Sequence, residues 1–205
     1  MTAPAGLILD YGNVLSRRQD ETWLEPAATR VGTTEHALRD AYWQHRHGYD
    51  AGLPVHEYWH RVLAAAGADR ARAADPVDLA WLIDQDVSSW LHYDEDVWAL
   101  AADFHARGGR TAFLSNSGPE VMARLRADRR IESIFDAVVI SCEVGLSKPD
   151  PRIYLYCLDR LGIEAPQVLF VDDRADNIEG AARIGLRTLL FKGPDALARL
   201  RALLV

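Results

Sequence analysis

The chain has 205 residues, of which 49% are hydrophobic and 26% are charged, and its formal net charge is −7. This composition is typical of a folded globular protein and excludes a disordered chain, a collagen-like repeat and a coiled-coil rod. The acidic balance, without a cluster of basic residues, argues against nucleic acid as a partner because the phosphates would be repelled.

Short apolar runs recur along the chain, and most of them end in a polar residue. The first run, at 7–9, is followed by Asp10, and the fourth is followed by two aspartates. Runs this short and this uniformly apolar are typical of parallel strands that are covered by helices on both faces. We therefore predict β-strands over 7–9, 111–114, 137–140, 168–171 and 188–191.

The segment after the first strand contains no β-like run. Helical patterns take its place, punctuated by glycines. We predict helices over 20–31, 35–47, 55–66 and 76–90, and we assign residues 16–92 to an inserted helical bundle, here named the cap segment.

Helices and strands alternate along the rest of the chain. Helical patterns cover 94–107, 119–128, 151–161, 176–184 and 194–204, and Pro119, Pro151 and Pro194 stand where three of them begin. Such alternation predicts an α/β, Rossmann-like, doubly wound parallel sheet. Residues 1–15 and 93–205 are assigned to this core domain.

Side chains that can take part in catalysis or bind a metal ion follow the predicted strands. Asp10 follows the first, Ser115 the second, Lys148 lies in the loop after the third, and Asp172–Asp173 end the fourth. Helix capping would explain one such residue but not an aspartate pair. Clustered carboxylates repel one another unless a cation lies among them, and an all-oxygen set suits Mg²⁺. A carboxylate beside a cation and a lysine can attack phosphorus and form an aspartyl phosphate.

Four segments resemble the motifs of the haloacid dehalogenase (HAD) superfamily of hydrolases. They are LILDYGNVL at 7–15, FLSNS at 113–117, GLSKPDPRIY at 145–154 and VLFVDDRADNIEGAARIGL at 168–186. They occur in the family's order and at predicted strand ends. The Asp-x-Gly-Asn-Val pattern of the first motif is similar to that of a helical-cap subgroup with attributed phosphatase activity.

The resemblance implies a role for each matching residue. Asp10 corresponds to the nucleophile, and Ser115 with the backbone N–H of Asn116 corresponds to the group that binds phosphoryl oxygens. Lys148 corresponds to the residue that offsets negative charge on the nucleophile and the phosphoryl group.

The resemblance also implies a Mg²⁺ site. Its ligands would be the carboxylates of Asp10 and Asp173 and the main-chain carbonyl of Gly12. Asp172 and Asn177 match the positions that support these ligands.

Gly12 departs from the usual family pattern, which has a second aspartate here that acts as general acid and base. Such catalysis typically contributes about 10²–10⁴-fold in rate. We therefore expect leaving groups that depart easily as anions, such as sugar 1-phosphates, acyl phosphates or aryl phosphates. Alternatively, His45 or His47 in the cap segment supplies the missing acid.

The cap segment is rich in large aromatic residues. At helical spacing most of them should pack the bundle. We expect Arg46 and Tyr49 to be exceptions that face the substrate.

These observations predict a Mg²⁺-dependent phosphatase of a small phosphorylated metabolite. Two alternatives stay open, namely a metal-free 2-haloacid dehalogenase-like hydrolase and a catalytically weak HAD fold used as a binding module. No apolar stretch is long enough to span a membrane, so no membrane partner is expected. Two cysteines are too few for a disulfide framework, which favours the cytoplasm, and either a monomer or a homodimer fits the sequence.

Overall fold

A computed structural model describes residues 3–69, 75–129 and 131–205. Its centre is a five-stranded sheet of order β3-β2-β1-β4-β5. The pairings are parallel throughout, and β1 lies in the middle between β2 and β4. The strands are β1 (Gly6–Leu9), β2 (Arg110–Ser115), β3 (Ala137–Ile140), β4 (Val168–Asp172) and β5 (Arg187–Leu190). The predicted α/β fold is confirmed.

Alternating side chains of β1 enter two different apolar clusters. Leu7 and Leu9 pack in one, whereas Ile8 packs in the other. Because successive strand residues point to opposite faces, helices must cover both faces of the sheet. Besides the cap segment, the described helices are α5 (Glu95–Ala106), α6 (Pro119–Asp128), the single turn α7 (Ser141–Val144), α8 (Pro151–Leu161), α9 (Ala175–Arg183) and α10 (Ala196–Leu203).

The cap segment contains helices with an apolar cluster of their own. They are α1 (Leu24–Val31), α2 (Glu35–Asp50), α3 (Val55–Ala65) and α4 (Pro76–Ser89). Trp23, Tyr42, Tyr58 and Trp59 pack against one another in this cluster. The boundaries at 16 and 92 stay a prediction, and residues 70–74 lie outside the described residues.

Most described helix ends lie within one residue of the prediction, and three differ by more. Helix α1 begins at Leu24 instead of residue 20, after a short 3-10 turn at Glu21–Trp23. Helix α2 continues through Gly48 to Asp50 instead of ending at residue 47, because its last turn packs on the core domain around Gly118 and Ser141. Helix α10 begins at Ala196, two residues after the proline expected at its start. Among the described helices, none is both long and apolar enough to cross a bilayer.

Candidate active site

The carboxyl ends of three neighbouring strands meet at the ammonium of Lys148. Its Nζ lies 2.8 Å from Asp10 Oδ1 and 2.6 Å from Asp172 Oδ2, and it donates to the carbonyl oxygen of Leu114 at 3.1 Å. The side chain is 1% exposed. One buried cation therefore ties together the ends of β1, β2 and β4.

The loop that carries Lys148 is fixed by the carboxamide of Asn116. Asn116 Nδ2 donates to the main-chain oxygen of Lys148, and Asn116 Oδ1 accepts from its N–H, both at 2.9 Å. The sequence predicted only a backbone role for Asn116 in binding phosphoryl oxygens. Its side chain proves to be the clamp that positions the lysine.

An acidic cluster lies beside this lysine. Asp10, Asp172 and Asp173 each offer a carboxylate oxygen, and these oxygens all lie within 4.8 Å of one another. Asn177 Nδ2 lies 3.0 Å from both oxygens of Asp172, and Asn13 Nδ2 donates to Asp173 Oδ2 at 2.9 Å. The fold thus brings together the predicted ligand side chains and the predicted supporting residues.

Burial and charge shift the pKa values in this cluster. Burial raises the pKa of Asp10 to about 7, although Lys148 opposes this shift. Burial also raises the pKa of Asp173, against the hydrogen bond from Asn13. Burial disfavours the charged form of Lys148, but the carboxylates of Asp10 and Asp172 outweigh it and raise its pKa. The lysine thus stays an ammonium.

The donor set fits a hard divalent cation. Lys148 contacts two of the three carboxylates and offsets part of their charge. Carboxylates held this close are stabilised by a further cation, and oxygen donors with space for waters suit Mg²⁺. Asp10 and Asp173 could therefore hold such an ion together with the main-chain carbonyl of Gly12.

A cavity of about 480 Å³ opens over this cluster. Both parts of the chain contribute to its wall, so a bound molecule would contact the core domain and the cap segment together. The core side is formed mainly by Asp10, Gly12, Ser115, Asn116, Lys148 and Asp173, and the cap side by Trp43, Arg46, His47, Asp50 and Trp90.

Arg46 lines the cavity but is already held by the cap segment. Its Nε donates to Asp50 Oδ1 at 2.9 Å, its Nη1 donates to the Tyr42 hydroxyl, and Nη1 lies 3.4 Å from Asp86 Oδ1. The guanidinium also lies 5.1 Å from the ring centroid of Trp90. Two carboxylates and the surrounding rings leave the side chain only 8% exposed.

Tyr49 is not among the described residues that line the cavity. Its hydroxyl donates to Glu120 at 2.5 Å, and its ring stacks on Tyr58. The ring also lies against Gly118, where a Cβ would come within 2.2 Å of it. The structure therefore places Tyr49 in the contact between the cap segment and the core domain.

Of the two histidines proposed as alternative acids, His47 lines the cavity, whereas His45 is not among its described lining residues. Sequence reasoning missed the cavity-lining roles of Trp43, Asp50 and Trp90. Helical periodicity gave no signal for the two tryptophans, because it marks an aromatic residue as apolar without saying whether it faces the bundle or a neighbouring domain.

Comparison with known proteins assigns this chain to a family. The model of the haloacid dehalogenase-like hydrolases matches residues 6–185. The (S)-2-haloacid dehalogenase 4A of Burkholderia cepacia is 25% identical over 197 residues, which cover 90% of this chain and 78% of that protein. The acyl-CoA dehydrogenase family member 10 of Mus musculus is 38% identical over 109 residues, which cover 50% of this chain but only 10% of that protein.

A solved structure shares the fold over nearly the whole chain. A HAD family enzyme from Bacteroides thetaiotaomicron, in complex with magnesium and inorganic phosphate, superposes with a TM-score of 0.75 at 18% identity. The match covers 95% of this chain and 98% of that one.

Proposed function

This chain belongs to the haloacid dehalogenase-like hydrolases, and from that premise we propose that it is a Mg²⁺-dependent phosphatase of a small phosphorylated metabolite. The observation that carries the proposal is the cluster of Asp10, Asp172 and Asp173 around buried Lys148. A site for a single anionic substrate carboxylate has no need of three carboxylates, whereas a divalent cation does.

In the proposed reaction a carboxylate oxygen of Asp10 attacks phosphorus. The new oxygen–phosphorus bond forms as the bond to the leaving oxygen breaks, and the electron pair departs with the leaving group. Lys148 keeps its proton and lies beside the nucleophile, while Ser115 and the backbone N–H of Asn116 donate to phosphoryl oxygens. A bound Mg²⁺ would supply additional stabilisation of negative charge at this position.

Water then hydrolyses the aspartyl phosphate. Its oxygen adds to phosphorus, its protons leave with the released dihydrogen phosphate, and Asp10 returns as a carboxylate. Residues of the cap segment that line the cavity would limit the access of bulk water in this reaction, which would strengthen the electrostatic contribution of Lys148.

Phosphate release tests the proposal directly. The protein would be assayed with Mg²⁺ on acyl, aryl, sugar and nucleotide phosphates, and again in excess EDTA. We expect turnover that EDTA abolishes and that Asp10→Asn lowers by about 10³-fold or more, whereas Asp159→Asn, on the exposed face of α8, should match the unaltered protein. Turnover that survives EDTA or Asp10→Asn would contradict the proposal.

Carbon–halogen cleavage is the second candidate. It is favoured by the absence of a second carboxylate at Gly12 and by the similarity to (S)-2-haloacid dehalogenase 4A along 90% of this chain. The acidic cluster weighs against it, because a carboxylate substrate would add a further negative charge. Chloride release from (S)-2-chloropropionate in EDTA would favour dehalogenation over phosphate hydrolysis.

A further inference from the structure

An indole lies beside Gly12, the position where a general acid is usual in the family. Gly12 has an ordinary extended backbone, with φ −60° and ψ 125°. A Cβ added at this position would lie 3.6 Å from Cζ3 of Trp90. The leaving oxygen of a substrate bound at Asp10 would therefore face an apolar ring where family members usually place a carboxyl group.

The cap side of the cavity offers an aromatic corner. Trp43 and Trp90 lie edge to face, with ring centroids 6.3 Å apart and an interplanar angle of 81°. Both line the cavity, and Trp43 is 45% exposed. An exposed indole that lines a cavity offers a planar surface on which a flat ring can stack.

The guanidinium on the cap side of the cavity already has partners. That of Arg46 is paired with Asp50 and lies near Asp86, so its positive charge is offset within the cap segment. Asp50 itself lines the cavity. A leaving group with its own carboxylate or phosphate would meet Asp50 and an already paired guanidinium here, which disfavours it.

We propose that the substrate is the phosphate monoester of a planar aromatic alcohol without a second anionic group, and that its ring packs against Trp43 and Trp90. This inference rests on the proposed phosphatase function and names the substrate class of the same site.

The leaving group of such an ester needs no proton from the protein. As Asp10 bonds to phosphorus, the bond between phosphorus and the aryl oxygen breaks, and its electron pair stays on that oxygen. A phenol has a pKa near 10, as tyrosine does, so the phenolate is a far better leaving group than an alkoxide. The lack of an acid at Gly12 and the aromatic corner therefore point to the same class of substrate.

The test compares four substrates with the Mg²⁺-loaded protein. Phenyl and cyclohexyl phosphate are similar in size but differ in leaving group and in ring planarity. The ester 4-carboxyphenyl phosphate adds an anion, and acetyl phosphate has a good leaving group but no ring. We expect kcat/KM for phenyl phosphate to exceed that for cyclohexyl phosphate by about 10²-fold or more, in keeping with the usual contribution of an absent general acid. The added carboxyl group should lower kcat/KM about tenfold, which corresponds to about 1.4 kcal/mol in activation free energy.

A matched pair of variants isolates the ring contact. Trp43→Leu should raise KM for phenyl phosphate about fivefold or more, which is the size of one stacking contact, and leave acetyl phosphate within twofold. Trp81→Leu, in α4 and outside the described cavity lining, should change neither. Trp43→Phe, which keeps a ring, should restore most of the affinity and guards against a folding defect in the leucine variant.

The outcomes separate the two proposals. If acetyl phosphate is hydrolysed but phenyl phosphate is no better than cyclohexyl phosphate, or if Trp43→Leu behaves like Trp81→Leu, the aromatic substrate class is wrong and the phosphatase function stands. Rapid hydrolysis of cyclohexyl phosphate that is lost in His47→Gln would assign the acid to the cap segment and overturn the inference. If none of the four is hydrolysed with Mg²⁺, the proposed function itself fails.

Discussion

At the scale of single residues, the carboxyl group of Asp10 links metal binding to pH. Its pKa is raised to about 7 by burial, so without a metal it is largely protonated below that pH. A cation must displace this proton, and the apparent Mg²⁺ affinity should fall up to tenfold for each pH unit below about 7 and level off above it. Calorimetric titration with Mg²⁺ between pH 5.5 and 8.5 measures this dependence.

The control for this prediction removes the titrating group. Asp10→Asn should bind Mg²⁺ more weakly and with a flatter dependence on pH, while Asp159→Asn should follow the unaltered protein. An affinity for Mg²⁺ that is the same at pH 5.5 and pH 8 would show that Asp10 does not take up a proton in this range.

Asn13 combines a backbone role with a contact to Asp173. Its φ of 57° lies in the left-handed region, which asparagine and glycine tolerate better than other residues. Asn13→Ala should lower the free energy of unfolding by about 1 kcal/mol, whereas Asn13→Gly should change it less. Chemical denaturation compares the two variants.

Both Asn13 variants lose the hydrogen bond to Asp173 Oδ2. If that bond orients the carboxylate, Mg²⁺ affinity should fall equally in Asn13→Ala and Asn13→Gly. A loss of affinity confined to the alanine variant would trace the effect to the backbone and not to the amide.

The sequence predicted which side chains lie together at the strand ends, but not the contacts of the cap segment. Asp10 and Asp173 come after recognisable apolar runs and Lys148 lies in the loop after another, at an edge where parallel strands converge. The catalytic and metal-binding roles of these residues stay predictions. Tyr49 and Arg46 lie on a helix whose neighbours come from distant parts of the chain, and periodicity alone does not specify those contacts. Their pairing with Glu120 and Asp86 is therefore information that only the fold supplies.

At the scale of elements, the last turn of α2 joins the cap segment to the loop after β2. Tyr49 lies in a notch at Gly118, and the hydroxyl of Ser141 accepts from the N–H of Ser117 at 3.0 Å while it donates to the main-chain oxygen of Asp50. Gly118→Ala would force a methyl group into the Tyr49 ring. We expect a loss of about 1–3 kcal/mol in the free energy of unfolding, as is usual for overpacking.

Gly48→Ala, in the same helix, is the matched control. Among the described residues outside its own helix, a Cβ at Gly48 would meet only Leu53, at 3.9 Å. This substitution should stabilise the protein by about 0.5–1 kcal/mol, because alanine favours the helix interior. If Gly118→Ala were as stable as the unaltered protein or more stable, the notch at Gly118 would not be tightly packed.

The elements themselves were predictable where local chemistry marks their ends. Pro119 and Pro151 begin α6 and α8 as expected, because proline suits the first turn of a helix. The sequence predicts that α2 ends before Gly48, yet the helix continues to Asp50. The cost of a glycine in a helix is about 1 kcal/mol, which tertiary contacts of the following turn outweigh.

At the scale of the whole molecule, a bound cation should stabilise the native state. The described carboxylates converge only when β1 and β4 are paired, so the unfolded chain offers no comparable site. With Mg²⁺ at a hundred times its Kd, the free energy of unfolding should rise by about 2.7 kcal/mol. For a chain of this length that corresponds to a rise in Tm of about 5–10 °C.

Scanning calorimetry with and without MgCl₂ checks this increase. Asp173→Asn should remove most of the shift, whereas KCl at equal ionic strength should produce little of it in the unaltered protein. A similar Tm with Mg²⁺ and with KCl would argue against a specific cation site.

At this scale the architecture of the sheet could be predicted from the sequence, but the packing of the cap segment on the core domain could not. Uniformly apolar runs separated by helices require a covered parallel sheet, and β1 at its centre follows from the convergence of the motifs. The contact between α2 and the loop after β2 depends on shape, such as the space that Gly118 leaves for Tyr49. The order of apolar and polar residues along the sequence does not specify such complementarity of shape.

The contact between Gly12 and Trp90 couples the side chains that these two positions can carry. A Cβ at position 12 would lie 3.6 Å from Cζ3 of an indole whose Nε1 donates to the Tyr42 hydroxyl. A side chain that extends beyond Cβ would have to share this space with the ring. Among related sequences, an aspartate at position 12 should therefore be accompanied more often by a smaller residue than tryptophan at position 90.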